Sequence, residues 1–498
     1  MTMITTDDIQ ISVALGVDKL LEFSLSAKMN EHGRLKYSGL IGESRGTSVV
    51  EKMNRTDPVT VLIKDEPVFV GQPLSISLVE RNRAFTLTVE CSSTSYLADV
   101  EEQSRSFQYP QMTYAEIVRT AFSVQKDRSA LIRQGENVVI NKPIIQYKET
   151  DWAFTLRLAS HLETVVLPNI RSVTPQIAFG VPRGKNYQVE TEKYKIGRFR
   201  KRCNDGAWRE FLYYIIEDDR WFELGDKIEF LGAVWLVAGK KSVLLDSSLL
   251  RNTYLLANEQ AYGLRRFWNS KLHGVSLLGT VIDTKDEDVR LHLDIDEKQE
   301  KERAYWYPFT PLQGNVMYSL PQHGTKARLK IHSRDEGDSA VEHCYRTNGE
   351  ECADTSDYHN RYYTTEFGKR MAMLPDLFYL WGGSNKVSLQ DQSGISAATG
   401  KETRMYADGF IRFHSRGKIS FITPEQMIMA KTSQESGIEV SGGELHTRSK
   451  YVYLQGGTDP TGFNSENMAP LGVELPLDLA LRFAALTPIV MNSKTLLE

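Results

Sequence analysis

The feature that most constrains this chain is a ribbon of short alternating segments between residues 385 and 455. Apolar and polar residues alternate at Val387/Leu389, Ile395/Ala397, Met405/Ala407, Ile411/Phe413, Ile419/Phe421, Met427/Met429, Ile438/Val440 and Val452/Leu454. A period of two places one set of side chains on one face of a strand. Gly, Asp, Ser or Pro separates most of the runs, and no helical spacing intervenes. Folded alone, such a ribbon exposes its edges and its apolar face to water. Three chains wound about one axis close the sheet and bury every alternate residue. The segment therefore predicts a homotrimer, although spacing alone also permits an ordinary monomeric sandwich.

Strand patterns dominate upstream as well. Val59/Val61/Ile63, Leu74/Ile76/Leu78 and Phe85/Leu87/Val89 alternate with polar neighbours, and Asp57-Pro58, Asp65-Glu66-Pro67 and Gly71-Gln72-Pro73 supply the turns. Two helices interrupt them. Thr113 and Glu116 form a capping box ahead of Ile117, Val118, Ala121 and Phe122. Thr150 caps a second helix with Trp152, Leu156, Ala159 and Leu162 on one face, ending at Pro168. Strands return from Ser172 to Val243, with Phe230, Val234 and Leu236 around Gly232. From Gly274 to Arg346, short strands at Leu277–Ile282, Val289–Ile295 and Ala327/Leu329/Ile331 suit an OB-type barrel.

Length and composition set the outer bounds. The 498 residues allow three or four domains, and 41% hydrophobic with 25% charged residues is a folded, soluble composition. With 60 basic against 64 acidic residues, no global field attracts nucleic acid or acidic membrane. The N-terminus lacks the basic start and apolar run of a signal peptide, and no long apolar run reads as a membrane span. Four cysteines are too few for a disulfide scaffold, so the expectation is synthesis in a reducing cytoplasm without a Sec-type signal.

The stretch Thr86–Glu116 carries Tyr96–Asp99, Ser104–Phe107 and Met112–Tyr114 in the order found in phage tail-hub proteins and VgrG spikes, which it resembles. Tyr147–Trp152 followed by Arg157–Ser160 is similar to the family's "acid, Asp-Trp, then Arg-Leu-Ala" helix. Lys271–Asp283 with Val289–Glu297 resembles the entry to its OB domain, and Trp306–Met317, with Thr310, Pro311 and Gly314, its middle hairpin. The matches run in family order across residues 55 to 460. The resemblance implies a mainly β fold: hub-type β-barrels with a helical insertion, an OB-fold and an intertwined triple-stranded β-helix needle. Its domain plan is a first barrel over 1–110, a helical connecting region over 111–171, a second barrel over 172–272 and an OB collar over 273–347. A linker over 348–384, the needle over 385–460 and a tip-proximal segment over 461–498 complete it.

That family's role is the spike of a contractile injection machine, be it a phage, a bacteriocin-like particle, an extracellular injection system or a type VI apparatus. Pseudo-sixfold barrels would meet tube and baseplate subunits, and a PAAR-like tip protein or effector would sit at the needle end. The particle would be ejected toward a target cell, without stable membrane insertion. The interval Asn348–Gly383 is too short for a hydrolase insert, and with only about forty residues after Gly457 a fused toxin is not expected.

No catalytic, cofactor-binding or metal residue is assigned. H-E-x-x-H and Walker-type glycine motifs do not occur. Asp294, Asp296 and Glu297 are the nearest approach to paired carboxylates; Asp294 and Asp296 fall on one strand face and read as solvated. His343, Cys344, Cys352 and His359 form a metal-like cluster, but adjacent His343 and Cys344 point to opposite strand faces. The basic run Lys193–Arg202, with Tyr194 and Phe199, reads as a surface hairpin or a contact to a neighbouring subunit. Two other classes stay open: an OB-fold nucleic-acid binder and a trimeric surface-glycan-binding or hydrolysing protein. The first is opposed by Asp283–Arg303, whose nine acidic and five basic residues repel phosphate.

Overall fold

The computed structural model describes residues 4–449, apart from 13–14, 43–45, 47–48, 50–56, 82–83, 124–126, 246–248, 312–318, 346, 348–350 and 431–436. Contacts divide the chain into residues 1–349 and 350–498. Each unit is mainly β.

The first unit begins with a lobe of five strands, Lys19–Lys28, Arg34–Ile41, Val59–Ile63, Glu66–Arg81 and Ala84–Ser93. Val59, Val61, Leu87 and Val89 are buried in its core with Phe23, Leu25 and Tyr37, as their alternation predicts. A second lobe is built from Tyr194–Arg202, Trp208–Glu217, Lys227–Phe230, Ala233–Leu244 and Leu250–Ala257. Both lobes follow one plan: numbering the strands of each from its N-terminus, the order across the sheet is 3-4-5-2-1. They are not independent. Lys19–Lys28 pairs antiparallel with Ala233–Leu244, Ser24 opposite Val243 through Lys28 opposite Gly239. One twelve-stranded sheet therefore runs through both regions.

Between the lobes in sequence lie helices α1 (Tyr114–Ser123) and α2 (Asp151–His161). Both predicted caps form. The Thr113 backbone N–H donates to Glu116 at 2.7 Å while the Glu116 N–H donates to the Thr113 hydroxyl at 3.2 Å. The Thr150 hydroxyl accepts from the Ala153 N–H at 3.1 Å. The intervening segments are strands rather than connectors: Ser129–Ile132, Val166–Pro168 and Gln176–Phe179 form one sheet, and Glu102–Phe107 pairs with Ile144–Thr150. Ile117, Val118, Phe122, Phe154 and Leu158 fill the core under both helices.

Five strands follow, Ser276–Lys285, Asp288–Leu293, Trp306–Pro308, Lys326–Ile331 and Ser339–Tyr345, in the spatial order 3-2-1-4-5. A parallel bridge between Phe309 and Val341 and the Thr310 N–H on the Val341 carbonyl, 2.9 Å, join the third strand to the fifth, so the sheet closes on itself. Leu277, Val281, Val289, Leu291, Leu293, Ala327, Leu329 and Ile331 point inward. Of the expected middle hairpin, Gly314 and Met317 lie outside the described residues.

In the second unit, Arg361–Thr364, Lys369–Leu374, Leu377–Gly382, Asn385–Gln390 and Gly394–Ala398 form an antiparallel meander. Its strands start inside the stretch read from sequence as a linker. No strand occurs among residues 399–425, and three more follow at Gln426–Ala430, Gly437–Ser441 and Glu444–Arg448. The alternating residues of the ribbon are exposed in the single chain: Ile411 48%, Phe413 56%, Ile419 47% and Phe421 60%. Val452/Leu454 and the segment 461–498 lie outside the described residues.

The closed five-stranded unit should behave as a packed core. Leu329 is fully buried, and Leu329→Ala is expected to cost about 2–5 kcal/mol in denaturant unfolding through lost transfer energy and an unfilled cavity.

Candidate functional site: a buried charged junction

The polar residues of the family-like motifs converge at one place, where the helical layer meets the closed five-stranded unit. Arg157, on α2, is fully buried. Its Nε and Nη2 donate to Glu149 at 3.1 and 2.9 Å, its Nη1 to Glu336 at 2.6 Å, and its Nη2 to the Ile145 carbonyl at 2.9 Å. The guanidinium also lies over the Phe154 ring, 5.1 Å from its centroid. Helix geometry explains the reach: the capped start at Thr150 fixes the register, so Arg157 points back along the strand that carries Glu149.

A second cluster adjoins it. Asp151, 3% exposed, accepts from Arg128 at 2.8 Å, from Gln146 at 3.1 Å and from Arg105. Arg105 also donates to Gln146 at 2.7 Å and to the Ala121 carbonyl at 3.2 Å. Register delivers these partners, since Arg105 lies opposite Gln146 past a bulge in Ile144–Thr150. On the first-lobe side, the His32 ring sits 4.1 Å from the Trp152 ring, with its Nδ1 2.8 Å from the Ser95 hydroxyl and its Nε2 3.4 Å from Asp99. Asp99 also accepts from the Thr150 hydroxyl at 2.5 Å.

Further clasps tie the closed unit down. Asp296 accepts the Ser106 N–H at 2.6 Å and its hydroxyl at 2.5 Å. Lys142 pairs with Asp335, and Asn269 donates to the Tyr147 carbonyl at 2.7 Å. The reading of Asp294 and Asp296 as a shared solvated face is corrected here. The strand ends at Leu293, both aspartates follow it in the turn, and only Asp294 is exposed, paired with Lys326 at 2.8 Å.

Electrostatics follow from burial and pairing. Burial raises the pKa of Glu149 against the opposing pull of Arg157, and burial likewise raises Asp296 against its Ser106 bonds. Burial also opposes ionisation of Asp335, but the Lys142 hydrogen bond and the Gly337 N–H overcome it and hold that carboxyl below its ordinary value. His161, at the end of α2, is pushed down to about 3 by burial and by Arg157, Arg266 and Lys142. Its Nδ1 lies 3.2 Å from the Tyr114 hydroxyl, and its Nε2 has no hydrogen-bond partner among the described residues. Glu149, Asp151, Asp296, Asp335 and Glu336 each accept from an arginine, serine or lysine, and Asp99 accepts from Thr150. The arrangement is a lock between layers, with its acids committed to pairs.

The other sequence candidates lie elsewhere. His343 and Cys344 occupy the strand Ser339–Tyr345, opposite Arg328 and Ala327, and the Cys344 residue is exposed. His359 lies 2.9 Å from Asp357. Among the described residues no three His, Cys, Asp or Glu side chains group as a metal site. The basic run is a strand, Tyr194–Arg202, at one end of the twelve-stranded sheet, with Arg198 and Arg200 near Glu210 at 3.4 and 3.5 Å. Among the described residues no helix is long and apolar enough to cross a membrane. Sequence reading missed Glu336, Arg128, Gln146 and His32. Glu336 stands in the acidic run Arg334–Asp338, which looks like a solvated turn, and nothing local marks its burial beside a residue 179 positions away.

Removing one partner of a buried pair leaves an uncompensated charge. Arg157→Met is expected to destabilise the first unit by about 3–5 kcal/mol in urea unfolding, whereas the exposed pair partner Arg119→Ala is expected to change it by less than about 1 kcal/mol. A pH test reads His161. Unfolded histidine binds a proton near 6.5 and the folded one only near 3, so the unfolded state holds more protons between those values and acidification lowers stability. The raised carboxyls Glu149 and Asp296 contribute with the opposite sign. Comparing wild type with His161→Gln isolates the histidine: the variant should lose less Tm between pH 6.5 and 4.

No protein-family model matches this sequence, and no curated protein matches it. Solved structures do. A chain of the half-lidded Francisella PdpA–VgrG complex is 8% identical, aligns over 79% of this chain and 87% of its own length, and gives a TM-score of 0.50. The lidded form of that complex also gives 0.50, over 79% of this chain and 80% of the other, at 8% identity. The E. coli c3393 protein, a component of the type VI secretion system with structural similarity to the T4 tail proteins gp27 and gp5, is 12% identical over 68% of this chain and 99% of its own, with a TM-score of 0.49. The fold of this chain is similar to that seen in the PdpA–VgrG complex, in keeping with the VgrG-like motifs of its sequence.

Proposed function

We propose that the chain is the trimeric hub and spike of a contractile injection machine and that its work is mechanical. The observation that carries this reading is the exposed apolar alternation of the second unit. Val387, Leu389, Ile411, Phe413, Ile419, Phe421, Ile438 and Val440 are each 38% exposed or more in the single chain. Burying such side chains gains roughly 25 cal/mol per Å², and three intertwined copies offer each a partner face and leave no open sheet edge. The needle then draws stiffness from continuous backbone pairing around its axis.

The remaining parts take roles from their place in the chain. The two sheet lobes are the hub barrels that meet the tube and baseplate. The closed five-stranded unit, with its 3-2-1-4-5 order and joined third and fifth strands, is the OB collar. The charged junction holds collar and hub as one body so that axial load passes between them. A tip protein or effector at the needle end completes the assembly, in keeping with relatives that are found in complexes with other proteins.

Native mass tests the reading. Light scattering behind gel filtration should give about 170 kDa, three times the 56.6 kDa chain, and negative-stain images should show a broad head with a thin stalk. A compact monomer of single-chain mass would end the spike assignment.

A further inference from the structure

The segment that leaves the second lobe for the closed unit passes beside the end of α2. Two buried nitrogens there, Nε2 of His161 and Nε of Arg266, have no hydrogen-bond partner among the described residues. We propose that these two side chains form a binding site for a small oxyanion of the phosphate or sulfate class. The inference is independent of the trimeric reading above.

The indole of Trp268 organises the site. The Arg266 guanidinium lies over it, 4.4 Å from the ring centroid, and the His161 ring is 5.9 Å away. Lys142 stands over the same indole at 5.4 Å. Three basic side chains from three separate segments therefore meet around one ring. Stacking fixes the plane of a guanidinium and covers its face, while its edge keeps a fork suited to two oxygens. Arg157 and Lys142 already have carboxylate partners, Glu149 and Glu336 for the first and Asp335 for the second. Among the described residues the fork of Arg266 takes neither a carboxylate nor a carbonyl.

The backbone around the site is held in advance. The Arg266 N–H donates to Asn204 Oδ1 at 2.6 Å, and the Phe267 N–H donates to the Ser160 hydroxyl at 3.2 Å. Asn204 Nδ2 donates in turn to the Ser160 carbonyl at 3.0 Å, which clamps the segment to the last turn of α2. Carbonyls at a helix C-terminus ordinarily repel an anion. Here the Ser160 carbonyl is answered by Asn204, and the Ala159 carbonyl accepts from the Leu162 and Thr164 N–H groups.

The chemistry of His161 suits the same ligand. Burial and the nearby Arg157, Arg266 and Lys142 keep its ring neutral. Its Nδ1 lies 3.2 Å from the Tyr114 hydroxyl. With that hydroxyl donating, the ring proton sits on Nε2, so both orphan nitrogens present N–H groups. A water molecule answers a lone donor well. Two donors beside a guanidinium without a carboxylate call for negative charge, and an oxyanion brings several acceptor oxygens at once. Both nitrogens are shielded from solvent, which favours a small free ion over the acidic side chain of another protein.

Isothermal titration of the full chain with inorganic phosphate, at constant ionic strength, tests the site. The expected result is saturable uptake of a single phosphate per chain, with sulfate competing. Arg266→Gln and His161→Gln should each weaken uptake about tenfold or more, the effect of losing one hydrogen bond to a charged group. Arg119→Ala, in an exposed pair, should leave it unchanged. Gel filtration of each variant separates lost binding from lost fold. Heats that never saturate with the wild-type chain overturn the proposal, and this arm holds whether or not a variant folds. Undiminished uptake by a natively eluting Arg266→Gln or His161→Gln chain overturns it as well.

Discussion

Arg157 is the interaction on which the first unit depends. Its guanidinium is out of water entirely, and such a burial is tolerated only when charge and most N–H directions are answered. Two carboxylates and a carbonyl answer the charge and four of the five N–H groups, one carboxylate from the strand before α2 and one from the turn before the last strand of the closed unit. A hydrophobic contact could hold these layers together as firmly. It could not fix their angle, because fork-shaped donors accept only a narrow range of geometry.

The rest of the junction extends the same device outward. Asp151 gathers Arg105 and Arg128, Asp296 holds Ser106, and Asp335 holds Lys142. His32 and Trp152 carry the contact back to the first lobe. The motifs that resemble tail-hub proteins thus supply buried junction residues. Ser104–Phe107, Asp151-Trp152 and Arg157–Ser160 are the places where strand, helix and closed five-stranded unit are joined, and so their spacing is constrained across a long stretch of chain.

The two units differ in what completes them. The first closes its cores internally: Phe154, Leu158, Tyr307 and Leu329 are all fully buried. The second closes little, with Ala372, Leu377 and Tyr379 as its buried apolar core among the described residues. Its alternating apolar residues, Ile411, Phe413, Ile419 and Phe421 among them, are exposed in the single chain.

The sequence by itself determined the local elements and their faces. Period-two runs gave the strands around Val59, Leu291 and Ala327, and side-chain chemistry at Thr113 and Thr150 set both helix starts, because caps and alternation act within a few residues. The junction was half legible: Glu149, Asp151 and Arg157 stand in a readable motif, while Glu336, Arg128 and His32 come from distant segments with no local mark. Asp296 was misread for the same reason, since solvation depends on what packs above a turn. Only the tertiary structure decided that two separately patterned lobes share one sheet, because pairing between Ser24 and Val243 spans most of the first unit and leaves no periodic trace in either strand. Local physics writes the strands; the order in which edges find each other is settled by closure and burial over the whole fold.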